Sequence, residues 1–143
     1  MSLFSPRLPG PTLALLRFMT GSLLVMFHGW GKINAAYAHL VEGTEWRFTQ
    51  VVDDIGFPAP GFFALAATLA EFLGGILLAI GLYTRQAALI IALTMAVAVF
   101  RHVTTDMRFE LAALYLVLGL VFFLGPSTPF SVDGKMGAKR SAS

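Results

Sequence analysis

The sequence predicts an all-α, polytopic membrane protein: a four-transmembrane-helix up-down bundle with a short interfacial helix in the first loop. Two observations carry that class. Hydrophobic residues make up 57% of the 143 and charged residues only 13%, about half the charged share of a soluble domain and too little polar surface to face water. Apolar runs of membrane-crossing length also recur along the chain, broken by glycine, proline and charged residues. The length fits one domain. A formal net charge of +2, with the basic residues spread out, argues against nucleic acid as a partner. With no cysteine there is no disulfide, thiolate metal site or cysteine-ligated cluster. Three histidines are the strong nitrogen ligands available, and no metal site is expected.

The spans are expected at 12–30, 61–82, 86–102 and 107–124, with a tail at 125–143. Residues 1–11, with Pro6, Pro9, Pro11 and Arg7, form a short lead-in. The first span, Thr12 to Trp30, is apolar apart from Arg17 and His28. A cleaved secretory signal is the competing reading, since Ala36-Tyr37-Ala38 resembles a small-residue cleavage site. The apolar run is too long for that, Arg17 interrupts it, and His28 and Lys32 precede the cut.

Residues 31–60 form the longest connection, into which the first helix can extend as far as Leu40. After Gly43, the residues Phe48, Val51, Val52 and Ile55 recur at helical spacing with Asp53 and Asp54 on the polar side, the pattern of an interfacial helix. Gly56 and the Pro58–Pro60 pair close it. Tyr83-Thr84-Arg85 is a tight turn into the third span, which ends at Arg101 and His102; Gly125-Pro126 stops the fourth. Four spans place both termini on one side, with Arg7, Arg85, Lys135, Lys139 and Arg140, and Arg17 one to two turns inside. The other side holds Lys32, Arg47, Arg101 and Arg108, diluted by Glu42, Glu45, Asp53, Asp54, Asp106 and Glu110. The lysine and arginine bias predicts N-in and C-in.

The second span organises the chain. Gly61 to Leu82 would be about 33 Å long as a helix, and it carries one charge, Glu71, near its midpoint. A mid-bilayer carboxylate costs about 2.5–3.5 kcal/mol on insertion scales, so it should face protein or water. Thr68, Glu71 and Gly75 share a face, and Gly74, Gly75 and Ala79 let a neighbouring backbone come close. In an up-down bundle the ends of spans 1 and 3 meet the starts of spans 2 and 4. His28, Lys32, Arg101, His102 and Glu110 are thereby brought towards Glu71 as one candidate ligand pocket. Helical side chains lean towards their own N-terminus, which turns the basic groups inward and Glu71 outward. By helical rise Glu71 sits about 15 Å below that face and His28 about 3 Å. Direct pairing is therefore not expected without a water, a ligand or a tilted helix, and Lys32 closes only part of the gap.

Glu71 is then either protonated and hydrogen-bonded or ionised beside water; a neutral packing role is the plainer reading. Arg17 reads as a snorkelling anchor at the headgroups, with an Arg17–Glu71 pair opposed by the directions of lean. A bis-histidine haem on His28 and His102 is disfavoured, because diagonal spans of a small bundle leave little room for a macrocycle. The 13 phenylalanines are ordinary packing and lipid-facing material.

The segments HGWGKI at 28–33, GFPAPGFF at 56–63, AEFLGGILLAIGLYTR at 70–85 and GPSTPFSVDG at 125–134 together resemble the DoxX family of small bacterial membrane proteins. The resemblance implies a single DoxX-like domain, a four-helix bundle in the bacterial inner membrane. It places Arg17, His28, Gly29, Lys32, Glu71 and Arg85 at the family's recurring polar and glycine positions. Some members are associated with quinone-linked oxidation, such as thiosulfate:quinone oxidoreductase subunits, or with membrane oxidoreductase complexes in oxidative-stress defence. A quinone is thus the expected ligand, and an oxidoreductase subunit, membrane-embedded or peripheral, the expected partner. The chain carries no motif for flavin, nicotinamide or iron–sulfur chemistry, so electrons would come from that partner. The alternative is a non-enzymatic scaffold, assembly factor or small-solute transporter. In that reading Gly74 and Gly75 dock a partner, or the chain forms a homo-oligomer.

Overall fold

The computed structural model describes residues 10–125 and 130–141. Its elements are α1 (Gly10–Leu24), a π-helical turn (Val25–Gly29), α2 (Trp30–Glu42), α3 (Arg47–Asp54), α4 (Pro60–Ile80), α5 (Thr84–Thr105), α6 (Glu110–Leu124) and α7 (Val132–Ser141). Among the described residues every element is helical. Arg7, Pro126 and the side chains of Lys139 and Arg140, which entered the reading of helix stops and sidedness, lie outside what is described.

Among the described residues, three helices are long and apolar enough to cross a membrane: Gly10–Glu42, Pro60–Ile80 and Thr84–Thr105. α6, at 15 residues, is a shorter apolar helix, about 22 Å against a hydrocarbon core of about 30 Å. It begins later than the expected 107 because Met107 takes a left-handed conformation (φ 58°) and Asp106 Oδ1 accepts the Arg108 NH at 3.1 Å. The three residues before Glu110 are therefore a loop, and α5 runs to Thr105 instead.

The first helix does extend beyond the expected span end at Trp30, past the Leu40 the sequence allowed. It runs 33 residues to Glu42, about 50 Å as a helix, ending on Gly43 in the left-handed conformation. The π turn adds one residue to a single helical turn. Buried positions step from Leu24 to Gly29, then on to Ala36. Without that extra residue the α2 seam would be rotated by about 100°. The turn thus sets which α2 side chains face α4.

α4 is the centre of the molecule, packed against α1, the π turn, α2, α3 and α5, while α6 lies on α5. Close approach is possible because small residues meet. A Cβ on Gly75 would lie 3.1 Å from the Gly21 carbonyl oxygen, and one on Gly29 would lie 2.9 Å from the Phe72 Cα. As the first span advances from Gly21 to Gly29 its contacts on α4 fall back from Ala79 to Phe72, so the two run antiparallel. On the α5–α6 pair, Gly119 meets Ala88 and Ala92. Leu24, Leu78, Ala88, Ile91, Met95, Tyr115 and Phe122 form the core where these helices converge. A second cluster, Ala36, Trp46, Val52 and Ala64, seats α3 between α2 and α4. The helix expected after Gly43 is thus present, with Val52 buried and Asp53 and Asp54 exposed.

The tail is also helical. Ser131 Oγ accepts the Gly134 NH at 2.9 Å, which starts α7 as an N-cap does.

Candidate functional site

Lys32 Nζ donates to Glu71 Oε1 at 2.6 Å. This direct pair corrects the depth estimate made from the sequence, which measured from a membrane face at Trp30. With the first helix running to Glu42 and α4 starting at Pro60, Lys32 is ten residues inside one end and Glu71 eleven inside the other. Two antiparallel helices joined at that end bring such positions to one level, about 15 Å in. No tilt or bridging water is needed.

Glu71 is 2% exposed and Thr68, one turn earlier on the same face, 0%. Glu71 Oε2 and Thr68 Oγ1 are both buried without a hydrogen-bond partner among the described residues. Buried polar atoms left open in this way call for a water, an ion or a ligand group. The His28 ring meets the buried Tyr115 edge-on, with centroids 5.7 Å apart, and it lies within charge range of both Glu71 and Lys32. Lys32 is the more open member, with 29% of its side chain exposed, and its ammonium stands 4.4 Å from the centre of the Phe48 ring on α3. The site is therefore a carboxylate and a hydroxyl with free acceptor positions, beside a lysine and an imidazole, where α4 meets α2 and the π turn, with Tyr115 of α6 against the imidazole.

Of the other three pocket candidates two are engaged locally, although Arg101 Nε is also buried without a partner among the described residues, and the third is exposed. Arg101 donates to the Thr105 hydroxyl, His102 Nδ1 pairs with Asp106 Oδ1 at 2.9 Å, and Glu110 is exposed at the start of α6. Asp106 is held below the usual carboxylate range by the His102 hydrogen bond, then by the Arg108 NH. No hydrogen bond or ion pair among the described residues ties any of the three to Glu71 or Lys32. They fall away because α5 runs past Arg101 to Thr105, so that both residues sit on its last turn beyond the level of Glu71. The two histidines considered for a haem engage different partners, Tyr115 and Asp106.

Arg17 leans towards the near surface as its helix direction requires, but it ends on protein. It is 3% exposed and its Nη2 donates to the Phe130 carbonyl at 2.9 Å. Gly81 makes room for it, since a Cβ there would overlap the guanidinium. Lipid headgroups are thus replaced by the segment before α7. Arg85 Nε donates to the Phe123 carbonyl at 3.0 Å, tying α5 to α6. Gly74 faces Ile91 of α5, and Gly75 faces Gly21 of α1 and Val25 of the π turn. The glycine pair is occupied inside the chain and is not free to dock a partner.

The sequence reading did not single out Gly21, Tyr115, Phe48 as a lysine contact, or Asp133. Asp133 accepts the Tyr83 NH at 2.9 Å and the Thr84 NH and hydroxyl at 2.8 Å each, while its own NH donates to the Gly81 carbonyl. Burial pushes its carboxyl up, but the Thr84 and Tyr83 hydrogen bonds and the Arg17 charge leave it below the usual range. The only available signal was its place in the 125–134 segment. Two clefts are defined elsewhere. One of about 230 Å³ lies beside Tyr83, Arg85 and Asp133; one of about 460 Å³ lies between Ile55–Phe57 and Ala96, Val97 and Phe100. Neither is lined by Glu71. Open hydrogen-bonding capacity at Glu71 Oε2 and Thr68 Oγ1 marks the site.

Among the described residues, three helices long and apolar enough to cross a membrane and a shorter apolar one, with a charge pair set between two of them, define an integral membrane protein with a polar interior. Its sequence matches the DoxX family over residues 12–103, which includes Arg17, His28, Lys32, Glu71 and Arg85, and the chain belongs to that family. The match stops short of α6 and the 125–134 segment. No curated protein and no solved structure matches the chain.

Proposed function

We propose that this protein is an accessory, quinone-interacting subunit of a membrane oxidoreductase system, in the bacterial inner membrane with both termini inside. The observation that carries this reading is the Lys32–Glu71 pair, its carboxyl buried and its lysine part-exposed, with Glu71 Oε2 and Thr68 Oγ1 left without partners among the described residues. A quinone head group presents carbonyl acceptors when oxidised and hydroxyl donors when reduced. Lys32 retains donor capacity for the first, and Glu71 Oε2 and Thr68 Oγ1 offer acceptors for the second. His28, within charge range of both ionic groups, is the side chain suited to pass a proton. Electrons would be delivered by a partner, because the chain supplies no redox group of its own. Quinone-analogue binding to purified wild type and Glu71→Gln in lipid nanodiscs tests the proposal. Saturable binding lost in the variant supports it. Weak, non-saturable binding that is the same in both ends it.

A further inference from the structure

Glu71 is shielded, with 3% of its side chain exposed, while Lys32 retains 29%. Whatever reaches the pair from outside comes from the lysine's side. That side is covered by α3, whose Phe48 ring lies over the ammonium at 4.4 Å. We propose that α3 is a gate over the Lys32–Glu71 pair and Phe48 its latch, so that a small amphiphile enters by displacing this ring from Lys32.

Three further observations converge on the same segment. α3 is bounded by Gly43 at φ 70° and Gly56 at φ 94°, and a Cβ on either would meet nothing within 4 Å. Both ends therefore combine permissive backbone with open surroundings, the properties of hinge positions. α3 has only eight residues, and of these Val52 alone is buried, with Trp46 just before it. It is held by one small cluster with Ala36 and Ala64, against which Phe48, Phe57, Phe63 and Leu65 pack, and a short element with one buried side chain opens at lower cost than a long buried helix. At the C-terminal hinge Phe57 rests on Phe63 of α4, and a cleft separates this end from α5. The cleft of about 460 Å³ between Ile55–Phe57 and Ala96, Val97 and Phe100 leaves space for that end to move.

The inference rests on reading the Lys32–Glu71 pair as the functional site, but its test involves no quinone. A membrane-permeable carbodiimide activates the Glu71 carboxyl, and Lys32 Nζ, already at 2.6 Å, then attacks it. A Lys32–Glu71 amide forms, the carbodiimide leaves as a urea carrying the oxygen, and the joined peptides weigh one water less. The rate of that product in nanodiscs reports access to the pair. Phe48→Ala is expected to raise it about tenfold, the change in opening that follows from losing a cation–π contact and its packed ring. Phe62→Ala, removing an exposed ring on α4, should leave it unchanged. If Phe48→Ala does not fold, Phe48→Met keeps the bulk and removes the ring face, and carries the same expectation in reduced size. Rates within twofold across wild type and the Phe48 variants, or an equal rise in Phe62→Ala, overturn the gate. A gate upheld here alongside failed quinone binding would retain the access route and discard the quinone.

Discussion

Lys32 and Glu71 stand 39 residues apart in the chain and 2.6 Å apart in space, level with each other on two antiparallel helices. The lysine is partly open and the carboxylate is not, so the two are not equivalent when cut. Lys32→Met leaves a buried carboxylate without its counter-charge and should destabilise by about 3 kcal/mol, the low end for breaking a buried pair because Lys32 is part-exposed. Glu71→Gln leaves an ammonium that can turn outward and should cost less. The double variant Lys32→Met/Glu71→Gln should recover most of the loss. Unfolding in lipid-like detergent, run as a double-mutant cycle, measures all three.

Two glycines on the first span make a matched comparison. A Cβ on Gly21 would collide with the Gly75 carbonyl and with Ala79 backbone atoms, whereas one on Gly31 would meet nothing within 4 Å. Gly21→Ala should therefore lower stability by about 1–3 kcal/mol through overpacking against a backbone that cannot move aside. Gly31→Ala should be neutral or stabilise by up to about 1 kcal/mol through helix propensity. Equal thermal midpoints for the two variants would contradict the close α1–α4 crossing.

What was legible in the sequence was composition and period. The apolar runs around α4 and α5, the amphipathic spacing of Phe48, Val51, Val52 and Ile55, and the shared face of Thr68 and Glu71 all follow from residue order alone. The end of the first span was legible only in part. The helix could be extended to Leu40, but nothing in HGWGKI shows that depth is to be measured from Glu42 and not Trp30, or that a π turn shifts the seam by one residue. The depth of Lys32 depended on both, and with it the ion pair. The same error of level drew Arg101, His102 and Glu110 into the pocket. Asp133 escaped notice because its partners, Tyr83 and Thr84, are about 50 residues away and unremarkable by type.

Asp133 closes the start of α5 with three hydrogen bonds. Asp133→Asn keeps the shape but replaces one accepting oxygen with an NH2 donor and removes the charge from the other, and should cost about 1 kcal/mol, the usual worth of a helix cap. The pH dependence follows from the lowered carboxyl. A group with a depressed folded-state pKa contributes fully above its unfolded value of about 3.9 and loses that contribution as pH falls through the folded value. Protection of the Tyr83 and Thr84 amides from hydrogen exchange should be constant from neutral pH to about 4 and decline only below it. In Asp133→Asn protection should be lower throughout, with no such step.

The separation of Glu71 from the α5 terminus gives the sharpest test of where the site lies. Arg101 is tied to Thr105 and His102 to Asp106, pairings within one turn at a loop, and Glu110 is exposed beyond it. If ligand binding needs the groups that converge at the α2–α4 level, Arg101→Gln, His102→Ala and Glu110→Gln should bind a quinone analogue within about twofold of wild type, less than 0.5 kcal/mol. Glu71→Gln and Lys32→Met should each weaken it by about tenfold or more, a loss of at least one charge-assisted hydrogen bond. His28→Ala should fall between the two groups in affinity, since the ring flanks the pair and packs on Tyr115 without bonding to either charged group. Titrating one analogue against the six variants in nanodiscs gives the order directly. A larger loss in His102→Ala than in Lys32→Met would move the site to the end of α5.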